Sequence, residues 1–319
     1  MLKLIAYRLA QSMLSLVIVT ALTFSLLAAA GGDALTALIE DPLASEATIN
    51  EMRRIYGLDQ PLVARYRQWL SNALCGDLGE SFFYRAPVSG LVVARLMKTM
   101  ALGLVALVIA WTVALALGIP AARRPRGWLD RLCELVVTLS ASTPRIVMAL
   151  ILLALASGTS LLIPGAAARE EGSLASFARV LLPALALSMP LIALFLAQVR
   201  EGVRDALNED FVRTARAKGL SERAVTFRHA LRPALSPLIT IFGYSLGGVM
   251  SGSVIVETIL NWPGLGSLSV IAVRSRDVPL LMGVVLVTAA AVFISNLLAD
   301  ILLCLNDPRL RETSSAEAL

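Results

Sequence analysis

The chain has 319 residues, of which 57% are hydrophobic and only 16% are charged, with a net charge of +5 and a mean hydropathy of +0.76. A soluble domain carries about 25% charged residues, so this deficit excludes a protein whose whole surface faces water. The basic residues lie beside apolar runs and form no aromatic-interleaved stripe, which disfavours nucleic-acid binding and favours the cationic loops of a membrane protein.

Two scarce residue types narrow the chemistry further. The single histidine, His229, argues against a His-based metal site and against a Ser–His catalytic pair. Three cysteines do not make a disulfide framework. We therefore expect no catalytic residue, no metal and no cofactor in this chain.

Six segments are apolar enough, and long enough at about 20 residues, to cross a bilayer as helices. In chain order these segments are 9–30, 99–120, 132–156, 180–199, 237–256 and 280–303. The third contains Glu134, Pro144 and Arg145, and the fourth contains Pro183 and Pro190, which we expect to bend it. A cleaved signal peptide is the weaker alternative for the first segment, because its apolar run exceeds the usual length of about 7–15 residues.

The distribution of Lys and Arg predicts the orientation of these spans. Sixteen of the 28 basic residues fall in the N-terminus, the loop after the second span, the stretch 200–232 and the C-terminal tail. Cytoplasmic loops are enriched in Lys and Arg, so we place both termini in the cytoplasm, which six spans permit. The resulting division is a first helix (1–30), an extracytoplasmic helical segment (31–98) and a five-helix core (99–319) with a cytoplasmic loop (200–235).

The extracytoplasmic segment shows two helical patterns, over 45–56 and 61–74. The second has proline at its first turn, where a backbone N–H would have no partner within the helix. Its apolar face is formed by Leu62, Tyr66, Trp69 and Leu70.

The cytoplasmic loop predicts two helices joined by a tight turn. The first runs to about Lys218 and stops at Gly219, a residue suited to the left-handed C-cap. Ser221 is a good N-cap for the second, and Glu222 in its first turn favours the helix dipole. We expect one exposed apolar patch with a basic rim. The patch comprises Phe211, Ala215, Leu220, Val225 and Phe227, and the rim comprises Arg213, Arg216, Lys218 and Arg223. Docking on another protein and contact with lipid head groups both fit this pattern.

The same loop carries a motif that resembles the cytoplasmic coupling motif of binding-protein-dependent ABC importer permeases. The segment from Asp210 to Arg223 places Arg213-Thr214-Ala215 where that family has E-A-A, and Gly219 matches its glycine. Leu231 also matches. His229 and Arg232 depart from the usual I-x-L-P ending, and the R-T-A-R-A-K-G run is similar to the dipeptide/oligopeptide/nickel branch.

Further matches to that branch extend along most of the chain. They are the Y-G-L-D-Q-P run at 56–61, G-D-L-G-E-S at 76–81 with Pro87-Val88, V-I-V-E-T-I-L-N-W-P-G-L-G at 254–266, Arg276-Asp277 with Pro279, and Asp307-Pro308-Arg309. The long outer segment resembles the first of the two permeases in such systems. The resemblance implies a type I ABC importer permease fold, an all-α membrane protein with six transmembrane helices, in the bacterial inner membrane.

The resemblance also implies partners and roles. A second permease would complete a heterodimer, two ATPase subunits would bind ATP and Mg, and an extracytoplasmic binding protein would deliver a peptide or a solute such as a nickel complex. This chain would be non-catalytic, since its 319 residues contain no G-x-x-x-x-G-K-[ST] phosphate loop. The ATPase-coupling residues would be Arg213, Thr214, Ala215, Arg216, Lys218, Gly219, Leu220, Ser221, Glu222 and Arg223.

Candidate pathway and gate residues are Arg145, Gly247, Ser251 and Glu257. A mid-membrane arginine is costly unless it faces water or a partner. Arg145 therefore either lines the pathway and meets an anionic group such as a peptide carboxylate, or pairs with the partner subunit, Glu134 or Asp300.

The fifth span is rich in small residues, which allow close backbone approach. It packs either near the pore axis against the second permease or within its own bundle. Glu257 either braces an outer gate or is satisfied by nearby backbone N–H groups. An ion-coupled secondary transporter is disfavoured because Arg145 is the only ionisable residue that we place at mid-membrane.

Overall fold

The computed structural model describes residues 2–29, 60–157 and 173–306, and these residues are almost entirely helical. The helices are α1 (Leu2–Ala29), α2 (Leu62–Leu74), α3 (Val88–Arg123), α4 (Trp128–Ser142), α5 (Arg145–Ser157), α6 (Ser173–Asn208), α7 (Asp210–Ala217), α8 (Glu222–Ala224), α9 (Leu231–Ile259), α10 (Leu265–Arg274) and α11 (Val278–Asn306). A π-helical segment, Val225–Ala230, joins α8 to α9. Two short antiparallel strands, β1 (Glu80–Ser81) and β2 (Ala86–Pro87), pair with Glu80 opposite Pro87.

Among the described residues, five helices are long and apolar enough to cross a membrane: α1, α3, α6, α9 and α11. The consecutive pair α4 and α5 makes a sixth candidate span if its two halves count as one, with a bend of 106° between them. The predicted all-α fold is thus confirmed, but the third span is a broken pair rather than one helix. The helices α3, α6 and α9 also extend beyond their predicted bounds. The prediction used the length of apolar sequence needed to cross the bilayer, and this length does not include helical residues outside the hydrocarbon core.

The break between α4 and α5 has a local cause. Thr143 adopts an extended conformation, with φ −96° and ψ 119°. A residue before proline is disfavoured in the helical region, so Pro144 forces the chain out of α4 at this point. Pro144 then precedes the first turn of α5 and accepts the backbone N–H of Val147 at 3.0 Å. By contrast, Pro183 and Pro190 both lie inside the continuous helix α6.

The chain divides into two units, the larger of which contains residues 100–262 and 292–319. Its core is an aromatic cluster in which Trp111 packs edge-on against Phe195 and Phe242, at ring distances of 5.6 and 5.5 Å. Close helix contacts surround this cluster. A Cβ on Gly243 would overlap Ala299 of α11, so these two helices approach with nothing between their backbones.

The second unit contains residues 6–99 and 263–291. Its core packs the start of α3 on α10 and on the start of α11, with Val88, Val92, Leu268 and Leu280 fully buried. Helix α3 begins at Val88, so its first turns contribute Val88 and Val92 to this core. The predicted domain boundary at 98 falls inside this helix, next to the division of the chain between residues 99 and 100.

Buried Asp277 joins the hairpin to the start of α11. Its carboxylate accepts the Ser81 hydroxyl at 2.6 Å, the Phe83 N–H at 3.0 Å and the Leu280 N–H at 3.1 Å. The bond to Leu280 is an N-cap, which satisfies one of the unpaired donors of the first helical turn. Two of the family-like motifs, at 76–81 and 276–279, thus meet at this carboxylate.

The predicted helix over 61–74 is confirmed as α2, with Pro61 at its N-cap position. Tyr66 of α2 hydrogen-bonds the Thr20 hydroxyl of α1 at 2.9 Å, and its ring lies 5.7 Å from that of Phe24. Leu62, predicted on the apolar face, is instead exposed. The predicted helix over 45–56 lies outside the described residues, as do Asp307, Pro308 and Arg309.

Candidate coupling site and pathway residues

The turn between α7 and α8 has the geometry that the sequence predicts. Gly219 has φ +78°, in the left-handed region that side chains avoid. The Gly219 N–H bonds the Arg216 carbonyl at 2.9 Å, and the Leu220 N–H bonds the Ala215 carbonyl at 3.3 Å. This pair of bonds is a Schellman motif, which satisfies the last carbonyls of α7. Ser221 then begins α8, its hydroxyl accepting the Ala224 N–H at 3.4 Å.

An ion pair spans the turn. Arg216 donates to Glu222 twice, from Nε to Oε1 at 2.8 Å and from Nη2 to Oε2 at 3.3 Å. This hydrogen bond lowers the pKa of the Glu222 carboxyl and raises that of the Arg216 guanidinium. Arg123, at the end of α3, adds to the lowering of the Glu222 pKa. The two sides of the turn are therefore held by a forked, charge-assisted contact.

A small core lies beneath the turn. Ala215 and Val225 are buried together with Ala206, Val212 and Ala230. The prediction that Ala215 and Val225 belong to an exposed patch is therefore wrong, because both residues face the core that packs α7 against α6 and the π-helical segment. We call residues 210–224, from α7 to the end of α8, the coupling block.

The outer surface of the coupling block is apolar and basic. Phe211, Leu220 and the following Phe227 are 45%, 40% and 51% exposed, as the sequence predicts for these three residues. Most predicted coupling residues are exposed around them. They are Arg213, Thr214, Arg216, Lys218, Gly219, Ser221, Glu222 and Arg223. Arg213 also pairs with Asp210 at 3.2 Å, one turn earlier in α7.

The second predicted helix does not end in the loop. From Ser221 the chain runs as helix through α8, the π-helical segment and α9, without a break. Thr226 supports the start of the π-helical segment by donating to the Glu222 carbonyl at 2.8 Å. The coupling block is thereby joined to a candidate span by continuous helix.

An ion cluster at the base of α6 was not identified by the sequence analysis. Asp130 of α4 is buried, and Arg204 donates to its carboxylate at 2.8 Å while Arg200 approaches it at 3.3 Å. The Arg126 backbone N–H donates to the same carboxylate at 2.8 Å. The signal in the sequence is the spacing of Arg200 and Arg204, which puts both on one face of α6.

Arg145 lies at the first position of α5 and lines a cavity of about 310 Å³. Its guanidinium rests on Gly252 of α9, where a Cβ would overlap the Nη1 atom. The cavity wall is mostly apolar. It includes Leu187 and Leu191 of α6, and Tyr244, Ser245 and Gly248 of α9.

No described residue forms an ion pair or a hydrogen bond with the Arg145 side chain. The expected alternatives of an intrachain pair with Glu134 or Asp300 are therefore not seen within residues 2–29, 60–157 and 173–306. Asp300 instead accepts the Tyr244 hydroxyl at 2.9 Å.

The other candidate pathway residues separate onto different faces of α9. Gly247 packs towards α11, where a Cβ would meet Asn296 at 3.2 Å, so on this face the small residues serve packing within the chain's own bundle. Ser251 is exposed and bonds the Gly248 carbonyl of its own helix at 3.3 Å. Glu257 is fully buried near the end of α9. Of the four candidate pathway residues, only Arg145 therefore lines the cavity.

Two family models together match nearly the whole chain. The model described as "Binding-protein-dependent transport system inner membrane component" matches residues 114–312, and "Binding-prot-dependent transport system membrane comp, N-term" matches residues 1–103.

Curated relatives agree with these models. The oligopeptide transport system permease protein AppB of Bacillus subtilis is 36% identical over 96% of this chain and 99% of its own length. A putative peptide permease protein of Brucella suis is 36% identical over 98% of this chain and its whole length. The glutathione transport system permease protein GsiC of Escherichia coli is 35% identical over 93% of this chain and 95% of its own length.

A solved structure supports the fold. An amino acid ABC transporter, crystallised with histidines, superposes with a TM-score of 0.50 over 69% of this chain and 94% of its own chain, at 18% identity. This identity shows the fold alone. Taken with five or six apolar spans and near-complete family matches, these findings show that the chain belongs to the inner-membrane components of binding-protein-dependent transport systems and is a non-catalytic, multi-pass permease subunit of an ABC importer.

Proposed function

We propose that this permease imports small peptides and that the coupling block is the surface on which an ATPase subunit docks. The observation that supports docking is the division of the block into a buried core and an exposed apolar and basic surface. Residues such as Phe211 and Leu220 stay exposed although Val212 and Val225, close by in sequence, are buried. A surface that keeps large apolar groups in water beside a packed core is typical of an interaction site.

The proposed assembly has one permease of each kind, two ATPases and an extracytoplasmic binding protein. ATP and Mg are bound by the ATPases, and this chain supplies half of the pathway. Both termini and the coupling block lie in the cytoplasm, as the distribution of basic residues favours. Peptides are the proposed substrate because the similar proteins from Bacillus subtilis and Brucella suis are named oligopeptide and peptide permeases.

The pathway is proposed to run along the exposed face of α9. Tyr244, Gly248 and Ser251 recur at three- and four-residue spacing on this face and are all exposed. The opposite face, at Gly243 and Gly247, is closed against α11. The second permease is proposed to complete the pathway opposite Ser251 and Arg145.

Reconstitution tests the proposal. The full complex in proteoliposomes, supplied with its binding protein, should take up radiolabelled trialanine only in the presence of internal ATP. The variant Leu220→Glu should lose both uptake and co-purification of the ATPases, because a charge on the apolar surface opposes docking. The matched control, Leu74→Glu, changes an exposed leucine of α2 and should retain both. Normal co-purification and uptake with Leu220→Glu would refute docking at this surface.

A further inference from the structure

The Arg145 cavity combines a fixed cation with an apolar wall. Its volume of about 310 Å³ lies at the lower end of the range for small-ligand sites, about 300–1,000 Å³. Such sites are lined mainly by apolar groups, with a few polar groups that orient the ligand. Here Leu187 and Leu191 supply the apolar wall, and the Arg145 guanidinium supplies the charged group.

The charge of Arg145 has no counterpart within the described residues. No described acid pairs with it, and the first turn of α5 contains no acidic residue. The N-terminus of a helix carries a positive partial charge of its own, so this end of α5 adds to the cationic character of the site. An arginine in a candidate span is costly unless it faces water, a backbone carbonyl or a partner. The cavity is therefore suited to an anionic group that arrives from outside the chain.

Gly252 leaves room for this charge. The guanidinium lies on the α9 backbone at Gly252, where an added Cβ would overlap Nη1 and displace the flexible end of the arginine. Gly248, one turn earlier on α9, borders the same cavity, yet a Cβ at that position would meet no atom within 4 Å. An added Cβ would therefore move the Arg145 guanidinium at position 252 but not at position 248.

We propose that Arg145, which lies against Gly252, binds the C-terminal carboxylate of the transported peptide within this cavity. The proposal rests on the proposed peptide substrate. A guanidinium matches a carboxylate with two parallel N–H···O bonds, remains charged at every physiological pH, and loses less solvation than an ammonium group. The apolar wall then accommodates side chains of different kinds. Arg145 would thereby require the peptide terminus without selecting the peptide sequence.

Binding to the purified complex tests this assignment. The complex of both permeases and both ATPases is prepared in nanodiscs without the binding protein, and equilibrium dialysis measures its affinity for trialanine and for trialanine amide. The wild type and the control Gly90→Ala, which adds a Cβ at a helical position with no atom within 4 Å, should bind the free acid about tenfold more tightly than the amide, as expected for one charge-assisted contact. Arg145→Gln should bind the two forms equally. Arg145→Lys should fall between, and Gly252→Ala, which displaces the guanidinium, should show a smaller preference than the wild type.

Each other outcome is decisive. An unchanged preference for the free acid in Arg145→Gln, or no saturable binding by the wild type, would overturn the proposal. Loss of the second permease from the Arg145→Gln complex, with recovery in Arg145→Lys, would show instead that Arg145 pairs with an acid of that subunit. ATP-dependent trialanine uptake by the wild type is measured in parallel. Its absence would overturn the peptide function itself, whereas uptake without a preference for the free acid would overturn only the role of Arg145.

Discussion

At the scale of single residues, Gly219 shows how one backbone angle organises the coupling block. The R-T-A-R-A-K-G-L-S-E run predicts a helix stop followed by a helix start, and the structure places the stop and the start on either side of Gly219. The run does not reveal that the Ala215 side chain is buried in the small core beneath the turn. This burial depends on the packing of α7 against α6, a contact between distant parts of the chain.

Replacement of Gly219 by alanine should destabilise the turn by roughly 1–2 kcal/mol, the cost of the left-handed conformation for a residue with a Cβ. We expect faster amide exchange at residues 215–221 and weaker stimulation of ATP hydrolysis by the loaded binding protein. Gly90→Ala is the matched control, because Gly90 is helical and a Cβ there meets no atom within 4 Å. Equal exchange rates in the two variants would contradict the role of Gly219.

The ion pair between Arg216 and Glu222 makes the same turn sensitive to acid. The folded-state pKa of Glu222 is lowered, chiefly by the Arg216 hydrogen bond. The pair therefore stabilises the turn above the ordinary pKa of a glutamate and loses this effect as the pH falls through the lowered value. Exchange at residues 215–221, corrected for intrinsic rates, should quicken below about pH 4 in the wild type. Glu222→Gln should exchange faster at neutral pH and show no further acid-dependent step.

Because both side chains are largely exposed, salt should weaken this pair. At neutral pH, raising the salt concentration should bring wild-type exchange towards that of Glu222→Gln. A wild-type exchange rate that changes with neither pH nor salt concentration would contradict the contribution of the ion pair.

At the scale of secondary-structure elements, sequence patterns predicted neither the angle between α4 and α5 nor the packing direction of each face of α9. The proline in 132–156 predicts an interruption, but a bend of 106° depends on where α5 packs. The small residues of α9 predict close approach, but they do not say which face meets which helix. In the structure Gly243 and Gly247 face α11, whereas Gly252 faces Arg145.

The contact between Gly243 and Ala299 can be tested directly. A Cβ on Gly243 would overlap the Cα and Cβ of Ala299, so Gly243→Ala should force α9 and α11 apart at a cost of about 1–3 kcal/mol. The thermal unfolding midpoint of the purified complex should fall accordingly. Gly248→Ala on the open face should leave the midpoint unchanged or raise it, since alanine favours helix over glycine. Equal midpoints would show that α9 and α11 tolerate separation at this point.

The bond between Ser81 and Asp277 joins the hairpin to α11, and a double-mutant cycle would measure its coupling. Asp277→Ala removes three hydrogen bonds, one of which is the N-cap, so it should cost about 1–3 kcal/mol. Asp277→Asn keeps the cap and should cost less. Ser81→Ala should cost less in the Asp277→Ala background than in the wild type, because both changes remove the same bond; its remaining cost is the loss of the Tyr84 N–H bond to the Ser81 hydroxyl. Fully additive losses in the thermal midpoint would contradict a direct coupling.

At the scale of the whole molecule, charge distribution and hydropathy predicted a multi-spanning helical protein, and the family matches confirm a permease of the inner membrane. The bounds of the spans were less predictable. Helix α3 extends beyond the N-terminal end of its apolar run to Val88, which is buried in the core of the second unit. A hydropathy window registers apolar length but not such contacts.

The predicted orientation can be tested with cysteine labelling. Cys75 is exposed in the predicted extracytoplasmic segment, and Lys218 is exposed in the coupling block. In a background with Cys133 and Cys304 replaced by serine, Cys75 should react with a membrane-impermeant maleimide in intact spheroplasts. With Cys75 also replaced, Lys218→Cys should react only after the membrane is opened. The reverse pattern would invert the topology and would place the coupling block away from any cytoplasmic ATPase.

The π-helical segment has a consequence for the rotational phase of the coupling block. Each residue of an α-helix turns its successor by about 100°, so the number of residues between α9 and Ser221 determines which way the block faces. A π-helical segment accommodates an additional residue without a break in the helix. Deleting Phe227, which is exposed in this segment, should therefore let an α-helix replace the π-helix and leave the block facing nearly the same way, whereas a deletion within regular α9 would rotate the block by about 100°. In this permease, the segment between Val225 and Ala230 is therefore a place where chain length can change without changing which surface is presented to a partner.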